Sequence, residues 1–156
     1  MEQKIAIKSL EELKGWVGKE VAVGRWITVT QDMINKFAEA SGDFQWIHVD
    51  VERCRKESPF KKPIAHGNLT FCLLSSIARN ADVELPYTRM GINYGMNRVR
   101  FTGVVPVDSR IRGRYKLVDV REVDAKTILL TWGVTGELEG SDKPVLIAET
   151  LSRRSA

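Results

Sequence analysis

The sequence predicts an α+β fold, an antiparallel sheet of about five strands wrapped around one long buried helix. Three observations carry that expectation. Residues 68–79 read as a helix that is apolar or small almost all round, through Leu69, Phe71, Cys72, Leu73, Leu74, Ile77 and Ala78. A helix without a polar stripe is buried on most of its sides. Four β-rich runs then follow with no helix between them, the pattern of strands that pair antiparallel. One more β-rich run precedes the helices.

Each element has a local cause. Residues 9–14 form a short helix capped by Ser9. Residues 21–28 (VAVGRWIT) are β-rich and read as one strand. Thr30 caps a helix over 31–40, in which Met33, Ile34, Phe37 and Ala38 fall on one face. Ser41-Gly42 ends it, because glycine can take the left-handed conformation that closes a helix. Residues 43–63 are irregular, with a short helix starting near Asp50. Gly67 opens the main helix. The later strands cover 92–102, 110–123, 125–138 and 144–153, separated by turn signals at 106–108, 123–124 and 139–142. No repeat or flexible linker divides the chain, so residues 1–156 are expected to form one domain.

Composition excludes several classes. Hydrophobic residues are 43% and charged residues 28%, which is neither disordered nor fibrous. The most apolar run, residues 69–78, is too short to span a bilayer and holds two serines. The N-terminal stretch is charged throughout and lacks the apolar centre of a signal peptide. Two cysteines, Cys54 and Cys72, cannot build a disulfide framework and read as reduced thiols of a cytoplasmic protein. The net charge of +4 concentrates in residues 89–116, where seven basic side chains meet Asp108 alone. Within it Arg110, Arg112, Arg114 and Lys116 alternate with Ile111, Gly113, Tyr115 and Leu117, so period two sets all four cations on one face. That face is either solvated or a receiver of phosphates. Nucleic acid is not expected, because no aromatic platform interleaves the basic positions beyond Tyr115.

Candidate chemistry lies around the two histidines, His48 and His66. Asp43 stands five residues before His48 on the loop that follows a helix end. An aspartate near 4 and a histidine near 6.5 form an acid–base pair able to converge on one water. By spacing alone they could equally be a cap and a packed, hydrogen-bonded ring. Pro63-Ile64-Ala65-His66-Gly67 leads directly into the buried helix, whose first amides have no internal acceptors. Glycine there admits a carbonyl close to the backbone, which makes an oxyanion hole. His66 reads as a structural hydrogen-bonding residue. Ser75 lies two turns further on, and its hydroxyl needs a partner inside a mostly apolar helix. The histidine and cysteine spacing does not suggest a metal site.

Three segments together carry a resemblance: FAEASGDFQWIHVD, SPFKKPIAHGNLTFCLLSS and NYGMNRVRFTGVVPVDSRIRGRY. Over residues 28–116 the chain resembles the MaoC-like dehydratase family, the (R)-specific enoyl-CoA hydratases of hotdog fold, in its nodulation protein N-like branch. The resemblance implies a long helix held in a curved antiparallel sheet, usually as a homodimer. It implies that Asp43 and His48 form the catalytic pair, that Gly67 donates its amide to a thioester oxygen, and that Ser75 lies near the catalytic histidine. Gln45 and Trp46 stand where the family carries asparagine and proline. Gln45 keeps the amide chemistry for positioning substrate, while Trp46 loses the fixed φ of proline and adds bulk.

The expected reaction adds water reversibly across a trans-2-enoyl-CoA to give a 3-hydroxyacyl-CoA. Coenzyme A is then part of the substrate and no cofactor is needed. Its phosphates would meet Arg98 and Arg100, or the Arg110/Arg112/Arg114 face. A hotdog acyl-CoA thioesterase and a non-catalytic acyl-thioester-binding subunit are the competing readings.

Overall fold

The computed structural model describes residues 5–156; the first four residues of the N-terminal stretch lie outside it. In chain order its elements are β1 (Ile5–Ala6), α1 (Leu10–Lys14), β2 (Glu20–Val23), β3 (Ile27–Thr28), α2 (Gln31–Ser41), α3 (Trp46–Val49) and α4 (Val51–Glu57). Then come α5 (Gly67–Leu74), α6 (Ile77–Asn80), β4 (Val83–Glu84), β5 (Met90–Phe101), β6 (Arg110–Asp124), β7 (Thr127–Leu138) and β8 (Leu146–Ser155).

The helix starts follow their caps. Ser9 Oγ accepts from Glu12 N–H at 3.1 Å, Thr30 Oγ1 from Met33 N–H at 3.3 Å, and Asp50 Oδ1 from Arg53 N–H at 2.9 Å. Gly42 closes α2 with φ 76°, the left-handed value that glycine adopts without strain.

The main sheet has six strands, one more than expected, in the order β2-β6-β7-β8-β5, with β3 also paired to β6. All its pairings are antiparallel. The extra strand arises because residues 21–28 do not form one strand. Gly24 N–H still bonds Gly113 O of β6, but Arg25 N–H turns away to Asn80 O, and this interrupts the run between β2 and β3. A separate parallel pair, β1 with β4, was not foreseen; two-residue strands carry no readable period.

The order of β5 also departs from simple succession. β5 precedes β6 in the chain but pairs with β8, at the opposite edge. The connecting segment earns its length by pairing with the approach to α5. Ala65 N–H donates to Val105 O at 2.8 Å and Val107 N–H to Pro63 O at 2.9 Å. These two bonds fix the loop against the segment that carries His66.

The expected helix over 68–79 is two helices. Ser75 closes α5 and Ser76 is extended, with φ −118° and ψ 110°. The break is stable because side chains take over the last carbonyls of α5. Arg79 Nη2 donates to Cys72 O at 3.2 Å, Asn80 Nδ2 to Leu73 O at 2.8 Å, and Tyr115 Oη to Leu74 O at 2.9 Å. Leu69, Leu74 and Ile77 pack into the same core as Ile111, Tyr115 and Leu117 from the inner face of β6. The cations of β6 alternate outward as period two requires.

Candidate active site

α2, its glycine cap and the one-turn helix α3 set the acid–base pair. Gly42 turns the chain, and Asp43 then folds the next residues: Asp43 Oδ1 accepts from Gln45 N–H at 3.3 Å. That turn opens α3, which carries His48 into the protein. Asp43 stays exposed, whereas His48 is 6% exposed. α3 itself lay inside the stretch that the sequence reads as irregular, because four residues are too few to show helical periodicity.

Two backbone carbonyls orient the rings. His48 Nδ1 lies 2.7 Å from Ile64 O. A carbonyl only accepts, so Nδ1 carries the proton and the neutral ring keeps its lone pair on Nε2. His66 Nε2 lies 2.9 Å from Asp43 O and is a donor for the same reason, so in the neutral ring Nδ1 holds a lone pair. That Nδ1 is buried without a partner. The two rings stack with centroids 3.8 Å apart at 25°, and Phe37 leans on His66 from 5.0 Å. Burial holds the His48 imidazole below its ordinary value, with the neighbouring His66 adding to the effect; the Ile64 carbonyl and Asp43 oppose it. His66 is thus the hydrogen-bonding residue expected, and it anchors the backbone of Asp43.

The ligand atoms of Asp43, His48 and His66 lie within 4.8 Å of one another, a grouping that the spacing of the histidines did not suggest. His48 Nδ1 and His66 Nε2 are already donors to carbonyls, so of the two rings only His48 Nε2 and His66 Nδ1 could coordinate, beside an Asp43 carboxylate oxygen. Lone pairs of stacked imidazoles lie in near-parallel planes and converge poorly on one ion. The arrangement suits one water better than a metal.

A cavity of about 310 Å³ opens on His48. Gly67, Thr70, Phe101 and Val145 line it, together with the 102–105 loop. Gly67 is the first residue of α5, and its N–H makes no hydrogen bond among the described residues. It is therefore a free donor at the positive end of the helix. The approach is tight: a Cβ on Gly67 would lie 2.8 Å from Phe101 Cδ2. Phe101 was not singled out from the sequence, since one aromatic residue in a strand carries no functional signal.

The other predicted residues lie elsewhere. The Gln45 side chain is exposed and makes no hydrogen bond among the described residues; its backbone serves the turn. Trp46 is half-buried with Arg53 stacked 4.3 Å over its ring. Ser75 sits at the far end of α5, eight residues from Gly67, and lines a different cavity. Arg98 and Arg100 flank inward-packed Val99 and so point to the outer face of β5. Neither has an ion pair among the described residues. The Arg110/Arg112/Arg114 face, by contrast, is already neutralised. Arg110 pairs with Glu139 at 2.8 Å, Arg112 with Glu137 at 2.6 Å, and Arg114 with Glu20 at 2.7 Å. Arg112 also lies 4.4 Å over the Trp26 ring. Of the two readings of this face, solvated or phosphate-receiving, these ion pairs favour the solvated one. Cys54 and Cys72 are free thiols, and no helix of the described chain is long and apolar enough to cross a membrane.

The family model described as MaoC like domain matches residues 13–137. The chain is 43% identical over 144 residues to nodulation protein N of Rhizobium meliloti, covering 92% of this chain and 89% of that one. It is 41% identical over 146 residues to 3-hydroxyacyl-thioester dehydratase Z of Mycobacterium tuberculosis, covering 94% and 95%. An R-hydratase from Pseudomonas aeruginosa has the same hotdog fold, with TM-score 0.65 at 21% identity over 90% of this chain and 85% of that one. From its matched sequence and its fold, the chain belongs to the MaoC-like dehydratase family.

Proposed function

We propose that the protein adds water reversibly across a trans-2-enoyl-CoA to give an (R)-3-hydroxyacyl-CoA. One observation carries this reading: a neutral His48 with its Nε2 lone pair free, the Asp43 carboxylate beside it, and the unpaired amide of Gly67 on the same cavity. The name of dehydratase Z, a relative of similar length, supports the thioester class.

In the proposed reaction water sits between His48 and Asp43. His48 Nε2 takes a proton from the water as its oxygen bonds to C3. The π electrons move onto the thioester carbonyl, which accepts a hydrogen bond from Gly67 N–H. Such a donor typically lowers the barrier by about 2.7–4 kcal/mol. His48 passes that proton from Nε2 to the Asp43 carboxylate, which hands it on to C2. Both groups end as they began, so the step balances without metal or redox cofactor.

Arg98 and Arg100, cations without ion pairs among the described residues, are the proposed contacts for coenzyme A phosphates. We further infer a homodimer. β5 is an edge strand of the sheet, and Met90, Ile92, Tyr94 and Met96 are 54%, 49%, 60% and 54% exposed along it. A long apolar edge is a template for pairing with another chain. An exposed free thiol at Cys72 fits a reducing compartment and hence the cytoplasm.

The test follows the conjugated thioester absorbance of crotonyl-CoA with the pure protein. Wild type should consume it and Asp43→Asn should not; inactivity of both sinks the hydratase reading. Chiral analysis of the product tests the (R) assignment. Release of coenzyme A thiol instead would identify a thioesterase.

A further inference from the structure

A second cavity, of about 380 Å³, lies at the opposite end of α5 from Gly67, where the helix breaks. Ile77, Leu85 and Trp132 give it apolar walls, and Ser75, Asn93 and Arg154 bring polar groups. Its volume is in the range of small-molecule sites, roughly 300–1,000 Å³.

Arg154 sets the character of this cavity. The inner face of β8 runs Leu146, Ala148, Thr150, Ser152, Arg154, from apolar to cationic. Arg154 is on that face because it pairs in register with fully buried Ile128 of β7. Its Nε donates to the carbonyls of Pro86 and Tyr87, both at 3.2 Å. Its Nη1 and Nη2 meet no acceptor, and no carboxylate pairs with it, among the described residues. A Cβ on Gly91 would lie 3.7 Å from Nη1, so the guanidinium reaches the β5 wall of the cavity. Burial lowers its pKa with nothing opposing. The arginines of β6 face the same need and meet it with glutamates. A half-buried guanidinium satisfied only by carbonyls through one nitrogen lacks the counter-charge that would offset its lost hydration.

Two free coplanar N–H groups form a fork that fits a carboxylate, and the apolar walls suit a hydrocarbon chain behind it. We propose that this cavity binds the carboxylate end of an aliphatic chain, with Arg154 as its cation. The chain is either a free carboxylate or the far end of the acyl thioester. Only the second source rests on the hydratase reading. Ser75, shared with this cavity, is eight residues from Gly67 along α5, about 12 Å at 1.5 Å per residue, so a long acyl chain could bridge the two.

The experiment titrates the full-length protein with octanoate by calorimetry, with octanol as the neutral control. Wild type should bind octanoate, and Arg154→Gln should bind it roughly 10-fold or more weakly, the least expected when both charge-assisted bonds of the fork are lost. Octanol binding should be the same in both. Octanoate that binds Arg154→Gln as tightly as wild type, or does not bind wild type, overturns the proposal. Arg154 also ties down Pro86 and Tyr87, so a second variant guards against misfolding. Ala78 is exposed on the cavity wall, and Ala78→Trp should fill the cavity and abolish octanoate binding; full binding in that variant also overturns the proposal. The source is read from turnover of trans-2-decenedioyl-CoA against trans-2-decenoyl-CoA. A preference for the dicarboxylic substrate that disappears in Arg154→Gln supports the acyl chain. Equal turnover with octanoate binding intact supports a free carboxylate. Crotonyl-CoA, too short to reach the cavity, reports separately on the hydratase reading: charge-dependent octanoate binding by a protein inert toward crotonyl-CoA would uphold the cavity and reject the activity.

Discussion

Gly67→Ala tests the site at its tightest point. The residue opens α5 with its N–H unpaired, and its Cα lies against the ring of Phe101. An alanine Cβ would come within 2.8 Å of Phe101 Cδ2 and 2.9 Å of Cε2 and Cγ. Comfortable carbon contacts begin near 3.5–4.0 Å, so the ring must retreat by roughly 1 Å. Phe101 is 48% exposed, so it can move outward and the fold should survive. Helix propensity even favours alanine, by about 0.8–1.0 kcal/mol in a helix interior and less at this first position. The amide remains, but the space through which a thioester oxygen reaches it shrinks. A displacement of about 1 Å at a reacting centre can cost about 100-fold in rate. We therefore expect kcat/KM for crotonyl-CoA to fall about 100-fold with Tm unchanged or slightly higher. Adding Phe101→Leu should recover part of the loss, because the smaller side chain leaves room for the Cβ. Wild-type kcat/KM in Gly67→Ala at unchanged Tm would refute the role given to this amide.

Other expectations follow from the same geometry. His48 must be neutral to accept a proton, and burial lowers its pKa, so the acid limb of kcat/KM should inflect below 6.5; an inflection at or above 6.5 counts against His48 as the base. The unfolded imidazole takes its proton near 6.5 and the folded one at lower pH, so this contribution to stability is full above 6.5 and is lost as pH falls through the folded value; His48→Gln should flatten that part of the Tm profile. Tyr115→Phe leaves Leu74 O and one Asn80 N–H without the hydroxyl, so urea unfolding should show a loss of about 1–3 kcal/mol. Burial pushes Glu137 up, but the bonds from Arg112 and Arg114 more than offset it and hold its pKa below 4.5. Its contribution is therefore present above 4.5 and lost as pH falls through the folded value, and Glu137→Gln should lower Tm at pH 7, by an amount equivalent to about 1 kcal/mol or less, and less still at pH 3.

Local signals in the sequence located what local chemistry determines. Ser9, Thr30, Asp50 and Gly42 each mark a helix end, and each makes the cap its residue type suggests. The long strands show period two, and the four cations of β6 do share a face. Failures occurred where a distant partner decides. The apolar run after Gly67 looks like one helix, and Arg79, Asn80 and Tyr115, folded back on Cys72, Leu73 and Leu74, make a break at Ser75–Ser76 tolerable. The strand over 21–28 is cut where Arg25 N–H turns from β6 to Asn80 O, far along the chain. The outer arginines look available until Glu20 and Glu137, 94 and 25 positions from Arg114 and Arg112, arrive from neighbouring strands.

The same division governs the candidate site. Asp43, His48 and Gly67 could be picked out because each is a chemically distinctive side chain, or lack of one, at a turn or helix start. Which nitrogen of His48 is free could not, because the decisive partner is the Ile64 backbone carbonyl, and every residue has one. The assignment of base and acid therefore depends on the loop pairing of Pro63 and Ala65 with Val105 and Val107, which fixes the segment holding that carbonyl. A change that loosens this pairing without touching Asp43 or His48, such as Val107→Pro, removes the N–H that bonds Pro63 O. It should free the His48 ring to rotate and lower kcat while Asp43, His48 and Gly67 all remain. Unchanged kcat in a folded Val107→Pro protein would show that the tautomer is set elsewhere, and the reading of His48 as the water-activating base would lose its structural support.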